Sequence, residues 1–179
     1  ADLDLAVEAC ATSRLLNSGQ SCIAAKRFLV VPSVREAFER RLVERMKITR
    51  MGDPEHEETQ LGPQARADLR ASLHAQVQAS VAGGARLLLG GSLPSGPGYF
   101  YPPTVLTDVK KGMVAYKEEL FGPVATIIPV KNRADAIKIA NDTAFGLGAA
   151  VFSRDDARAE RIAVDDLEAT PGLVVEGVR

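Results

Sequence analysis

Apolar residues return at helical spacing in several stretches and bunch into short runs between them, the alternation expected where helices connect the strands of a parallel sheet. Leu5, Ala9 and Leu16 with intervening alanines predict a helix from Asp4 to about Leu16. Asp2 and Asp4 complement its amino end, and Gly19 ends it. Arg27–Val31, rich in β-branched and aromatic residues and closed by Pro32, predicts a buried strand. Ser33 and Glu36 have capping-box spacing ahead of Phe38, Leu42 and Met46, which predict the next helix. Leu69, Leu73, Val77 and Val81 form the stripe of another, with Gly83-Gly84 as its stop.

Between these helices Met51–Pro63 carries turn formers without periodicity and predicts a loop. Arg86–Leu89, Thr104–Leu106, Ala125–Val130 and Ala149–Phe152 predict further strands. Asn132 is placed to cap a helix carrying Ala134, Ile137 and Ala140, and Asp155 to start a last one with Ala159 and Ile162. Gly90–Pro103 is the region richest in glycine and proline, yet the strands on either side are too few for separate cores, so it predicts an excursion within one domain. The fold class is therefore α/β, a mostly parallel sheet with helices on both faces. Gly96-Pro97-Gly98 is not a dinucleotide fingerprint: position 101 is Tyr101, no helix follows, and Pro97 has no amide to aim at phosphate.

A chain of 179 residues suits one domain with a sizeable core. With 22 basic and 23 acidic residues and a net charge of −1, it has no electrostatic basis for binding nucleic acid or an anionic membrane. Its longest apolar runs fall far short of the ~20 residues that span a bilayer. The acidic start, Ala-Asp-Leu-Asp-Leu, is unlike a secretory signal, so a cytoplasmic setting is expected. Cys10 and Cys22 are too few for a disulfide framework, and His56 and His74 stand at no zinc-site spacing to them, so no metal is expected.

Cys22 follows the polar turn Asn17-Ser18-Gly19-Gln20-Ser21 and precedes Ile23-Ala24, at the edge of an apolar run. A lone cysteine serves as a small buried hydrophobe or as a thiolate nucleophile, and the thiol by itself leaves both open. Wider matches bear on the choice. Gly19–Ala24 followed by Lys26–Val31, then Glu118-Glu119-Leu120-Phe121-Gly122-Pro123-Val124, then Ala140-Asn141-Asp142-Thr143 with Phe145–Gly148, resemble in order the motifs of the aldehyde dehydrogenase superfamily. The resemblance runs from Ala1 to about Ala163 and is nearest to the bacterial NAD(P)-dependent succinate-semialdehyde dehydrogenases; Gly52-Asp53-Pro54 and Leu61-Gly62-Pro63 also recur in that family.

The resemblance implies that Cys22 is the catalytic nucleophile. Its thiolate adds to an aldehyde to give a thiohemiacetal, the nicotinamide of NAD or NADP takes the hydride, and water hydrolyses the thioester that remains. The backbone N–H of Cys22 would help hold the oxyanion. Glu119 would bind the cofactor ribose and Phe121 position the nicotinamide; without the resemblance the same residues read as a turn cap and a packed ring. Gly122-Pro123 would fix the turn that aims them. Ser21 is the candidate substrate-binding donor, or a turn serine satisfying its own backbone. Lys26 and Arg27 suit a carboxylate-bearing substrate, or form a solvated pair beside a strand, while Asn141 reads as structural and Cys10 as an inert buried thiol.

The expected partner is a small-molecule aldehyde, with a homo-oligomeric parent. Only 21 residues precede Cys22, and none suits the family's nucleotide site, general-base glutamate or oxyanion asparagine. Residues 1–163 are thus expected to be the catalytic domain of a larger enzyme without its cofactor-binding domain, and 164–179 a divergent or truncated tail, with Glu176 where the family's Asn would stand. The isolated chain is expected to lack dehydrogenase activity. The alternative is a catalytically silent folded remnant or association module of the same fold.

Overall fold

The computed structural model of the chain describes residues 2–167 and the backbone of 172–175. In chain order the elements are α1 (Leu3–Leu15), β1 (Arg27–Val30), α2 (Pro32–Lys47), α3 (Ala67–Ala82), β2 (Arg86–Leu89) and β3 (Thr104–Thr107). There follow α4 (Val114–Lys117), β4 (Val124–Pro129), α5 (Arg133–Ala140), β5 (Ala149–Phe152), α6 (Asp156–Arg161) and β6 (Gly172–Val175). One sheet has the order β2-β3-β4-β1-β6-β5, parallel throughout except for the antiparallel edge pair β2–β3. The Gly- and Pro-rich stretch between β2 and β3 joins neighbours in this sheet, as expected of an excursion within one domain.

Alternate residues of the central strands face two separate cores. Phe28 and Val30 of β1, Val105 of β3 and Ala125 and Ile127 of β4 pack with α1 and α2. Leu29, Leu106, Val124 and Ile128 pack with α3, α4 and α5. Strands buried on both faces read as unbroken apolar runs, and so β1, β3 and β4 were visible in the sequence.

Two local expectations are corrected. In α1 the stripe Leu5, Ala9, Leu16 is out of phase: Leu5 is 62% and Leu16 52% exposed, while Ala6, Val7, Cys10, Ala11 and Leu15 face the sheet. Large apolar side chains stand out in an alanine-rich helix, but close approach to β1 and β4 favours its small face. The helix stops at Leu15, where a 3₁₀ turn, Leu16–Gly19, takes over. The capping box also fails. α2 begins one residue earlier, with Val31 as N-cap and Pro32 in the first turn, so Ser33 lies inside the helix and caps nothing. Proline is suited to that place because its missing N–H would have had no helical partner.

At the end of the chain β6, within residues 164–179, fills the sheet between β1 and β5. Glu176 lies outside the described residues. Other caps are as read: Asn132 accepts from the Asp135 amide at 3.0 Å and Asp155 from that of Arg158 at 3.0 Å. In α5, however, Ala136 and Ala140 are buried and Ala134 is exposed. None of the described helices is long and apolar enough to cross a membrane.

The phase of α1 gives a direct test. Leu15→Ala should cost about 2–5 kcal/mol, whereas Leu5→Ala on the same helix should stay within about 0.5 kcal/mol, as read from urea unfolding midpoints.

Candidate active site

Because β1 and β4 are parallel neighbours, the segments leading into them emerge at the same end of the sheet. Cys22 and Phe121 each lie five residues before the paired positions Arg27 and Thr126. The turn carrying Cys22 therefore sits against the turn carrying Glu119 and Phe121. Their contact is backbone on backbone: Gly19 has φ +74°, and a Cβ there would lie 2.1 Å from the Gly122 carbonyl oxygen. Gly122 is crowded from its other side, where a Cβ would come within 2.3 Å of Leu73 of α3. The site thus stands at the amino ends of the strands, opposite to the carboxyl ends where open α/β sheets usually bind ligands.

The turn that leads into Cys22 is held in an unusual conformation. Asn17, Ser18 and Gly19 all have left-handed backbone, with φ of 50°, 55° and 74°, which costs a non-glycine residue about 1–2 kcal/mol. Hydrogen bonds offset this. Asn17 Nδ2 donates to the Gln20 carbonyl at 2.9 Å, and Ser18 Oγ exchanges bonds with the Gly62 carbonyl and amide at 3.2 and 3.1 Å. Gln64 Nε2 donates to the Ser18 carbonyl at 3.3 Å. Gln20 reaches the Pro63 carbonyl at 3.3 Å and accepts from the Ala65 amide at 2.8 Å. The Leu61-Gly62-Pro63 motif, with its neighbours, is a clamp on the turn that precedes Cys22.

Two cations stand at this turn, and a third, Arg27, points away from it. Arg14 of α1 is fully buried and donates from Nη2 to the Gly19 carbonyl at 2.6 Å; its Nε and Nη1 meet no protein acceptor. Burial pulls Arg14 down to about 10, offset in part by the Glu119 carboxylate. Lys26 forms an ion pair with Glu119 Oε1 at 2.9 Å and also bonds to the carbonyls of Ser21, Cys22 and Ala24. Arg27 turns to the other core, where it donates to the carbonyls of Ile139 and Ala140 at 2.8 and 3.3 Å and lies 5.0 Å from the centre of the Tyr116 ring. Burial lowers it from the usual guanidinium range. It satisfies the end of α5, where positive charge is favourable. Lys26 and Arg27 are therefore neither a solvated pair nor a carboxylate receptor: both are occupied by the protein's own carbonyls.

Of the residues singled out in the sequence, Cys22 is exposed and Cys10 fully buried, where desolvation pushes its thiol up. Ser21 is half-buried, and its carbonyl accepts from the Ala24 amide at 3.1 Å. Glu119 keeps about a third of its side chain exposed (34%), and Phe121 is half-buried. Asn141 donates to the Asp166 carbonyl at 2.9 Å, past α6. Arg14 was missed, although it continues the spacing of Ala6 and Cys10 and would be found once the phase of α1 is known. The contacts of Lys26 had no signal in the sequence. A cavity of ≈ 20 Å³ between Lys26, Glu119, Leu120 and Phe145 has room for one water. A cleft of ≈ 680 Å³ by Val109, Lys131, Ile139 and Asn141 includes none of Ser21, Cys22, Glu119 and Phe121. Among the described residues no His, Cys, Asp and Glu side chains gather as a metal site.

The sequence model of the aldehyde dehydrogenase family matches residues 1–170, past the Ala163 at which the resemblance was expected to end. The chain belongs to the aldehyde dehydrogenase family. It is 49% identical over 163 residues to the succinate semialdehyde dehydrogenase (NAD(P)+) Sad of Escherichia coli K12, covering 91% of this chain and 35% of that protein. With the succinate-semialdehyde dehydrogenase (NADP(+)) of Mycolicibacterium paratuberculosis it shares 48% over 169 residues, 94% of this chain and 36% of the other. The structure of succinic semialdehyde dehydrogenase from Streptococcus pyogenes in complex with NADP+ superposes with a TM-score of 0.91 at 34% identity, over 100% of this chain and 39% of that one. The lactaldehyde dehydrogenase of Escherichia coli gives 0.90 at 34%, over 100% and 38%. The chain spans little more than a third of the length of the relatives it matches.

Two outcomes follow from the close approach of the turns and the burial of the thiols. Gly19→Ala should lose more than about 1 kcal/mol, since a left-handed backbone penalty is added to the clash with Gly122, and the loss is measurable by thermal unfolding. Iodoacetamide should label Cys22 in the folded chain and reach Cys10 only on unfolding, as mapped by peptide mass spectrometry.

Proposed function

We propose that this chain is the catalytic-domain portion of an NAD(P)-dependent aldehyde dehydrogenase that oxidises succinate semialdehyde to the carboxylic acid. The observation that carries this reading is an exposed Cys22 on a turn packed, backbone against backbone, on the turn of Glu119 and Phe121. It is supported by membership of the family and by relatives named for that aldehyde.

The residues present fit a nicotinamide dinucleotide in part. Glu119 engages Lys26 through Oε1 and is partly exposed, so that its carboxylate can accept from ribose hydroxyls. Phe121, two residues on, is half-buried at the same end of the sheet. When bound, the dinucleotide supplies the hydride acceptor, which no side chain provides. The remaining steps belong to the chain. Cys22 Sγ attacks the aldehyde carbon, forming a C–S bond and placing the electron pair of the C=O bond on oxygen, where the Cys22 N–H is assigned as a donor. After loss of the hydride the acyl group stays on Sγ as a thioester. Water then attacks that carbon, releasing the carboxylic acid and returning the thiol. The base for this water is assigned to the part of the relatives that the chain does not cover. In this reading residues 1–163 are the catalytic domain, Ser21 contributes to substrate binding, and the parent is a cytoplasmic homo-oligomer.

The test is NAD(P)⁺-dependent oxidation of succinate semialdehyde by the 179-residue chain and by the longer protein containing it. Turnover is expected only in the longer form, and Cys22→Ala should reduce it to background. The chain alone should hydrolyse p-nitrophenyl acetate slowly through Cys22. Ester hydrolysis that survives Cys22→Ala would remove the nucleophile from this reading.

A further inference from the structure

Lys26 occupies a place that neither the sequence nor the proposed chemistry accounts for. Its ammonium lies within bonding distance of four acceptors: the carbonyls of Ser21 at 3.4 Å, Cys22 at 3.0 Å and Ala24 at 3.3 Å, and Glu119 Oε1 at 2.9 Å. The side chain is only 12% exposed. An ammonium has three N–H donors, so the four acceptors share them and no donor is left for a ligand. Three of the four belong to the turn that presents Cys22. The fourth is the carboxylate of the adjoining turn.

From this geometry we infer that Lys26 is a positioning residue that couples Glu119 to the nucleophile turn. The proposal rests on the reading of Cys22 as nucleophile and Glu119 as the acceptor for ribose hydroxyls. One positive charge is divided between the turn's carbonyls and one carboxylate. A ligand hydroxyl that donates to Glu119 draws carboxylate charge away from Lys26. The ammonium then acts more strongly on the carbonyls of Ser21, Cys22 and Ala24, and its charge beside Cys22 is less neutralised. Occupation of the ribose site is in this way felt at the thiol, through one side chain and without movement of either strand. Arg14 cannot substitute, because its bonded nitrogen is on the Gly19 carbonyl, before Cys22 in the chain.

The experiment compares two alkylating reagents on the folded chain, neutral iodoacetamide and anionic iodoacetate, with Cys22 and Cys10 read separately by mass spectrometry. The ratio of the iodoacetate to the iodoacetamide rate reports local charge, which a merely structural role of Lys26 would not move. Lys26→Met should lower that ratio at Cys22 by about two- to fivefold, the scale of a partly exposed charge interaction. Glu119→Gln, which keeps the side chain's shape, should raise it by a similar factor. In the double variant the Glu119→Gln effect should shrink, since it acts through Lys26; such non-additivity is the signature of coupled neighbours. If Cys22 reacts no faster than Cys10, the nucleophile reading falls and this proposal with it. If Cys22 is reactive but its ratio is the same in all four proteins, or the two substitutions are fully additive, Lys26 does not couple the turns and only this proposal falls.

Discussion

The carbonyl of Gly122 and the α-carbon of Gly19 approach so closely that no side chain fits between them, and the arrangement of the site depends on that contact. It can form only because β1 and β4 are parallel neighbours and their leading turns meet at one end of the sheet. Each glycine is needed for a separate reason. Gly19 takes a left-handed backbone and faces the opposing carbonyl; Gly122 is wedged between that turn and Leu73 of α3. Core packing on the α3 side is thereby transmitted to the turn that presents Cys22, with no side chain in the way to absorb a shift.

A turn with three successive left-handed residues is unfavourable by itself, and its own carbonyls point inward. The protein answers with cations and amides rather than apolar cover. Arg14 takes the Gly19 carbonyl, Lys26 those of Ser21, Cys22 and Ala24, and Gln64 that of Ser18. Buried cations are costly unless paired, and Glu119 is the nearby carboxylate that both Arg14 and Lys26 feel. Glu119, proposed to bind the cofactor, is consequently part of what holds the turn of Cys22 together. Structure and chemistry here share the same charges.

The same principle accounts for the fate of Arg27. As the first residue of a strand buried on both faces it could not remain solvated, and it completes the carboxyl end of α5 while stacking over Tyr116. Tyr116 in turn donates to Asp142 at 2.7 Å, and burial with that carboxylate pushes it up to about 12. The motif Ala140-Asn141-Asp142, legible as a family match, thus has a structural use in this chain: it closes α5 onto β1 and α4.

The sequence by itself determined the class of fold, most of its elements and the motifs that mark the family. Each of these is written locally: apolar runs in strands buried on both faces, a helical period in α2 and α3, Asn132 and Asp155 as caps, and a thiol between a polar turn and an apolar run. What it misjudged or missed was also local but ambiguous. Alanine-rich α1 has no strongly apolar face to read, Ser33-x-x-Glu36 competes with a proline that suits the first turn equally well, and the four residues of β6 are too few to show a period. Only the tertiary structure decided that Arg14 points inward, that Lys26 joins Cys22's turn to Glu119, and that Gly19 meets Gly122. The physical reason is that these contacts are set by which strands pair and in what register, and periodicity along one segment carries no information about the neighbour it will find.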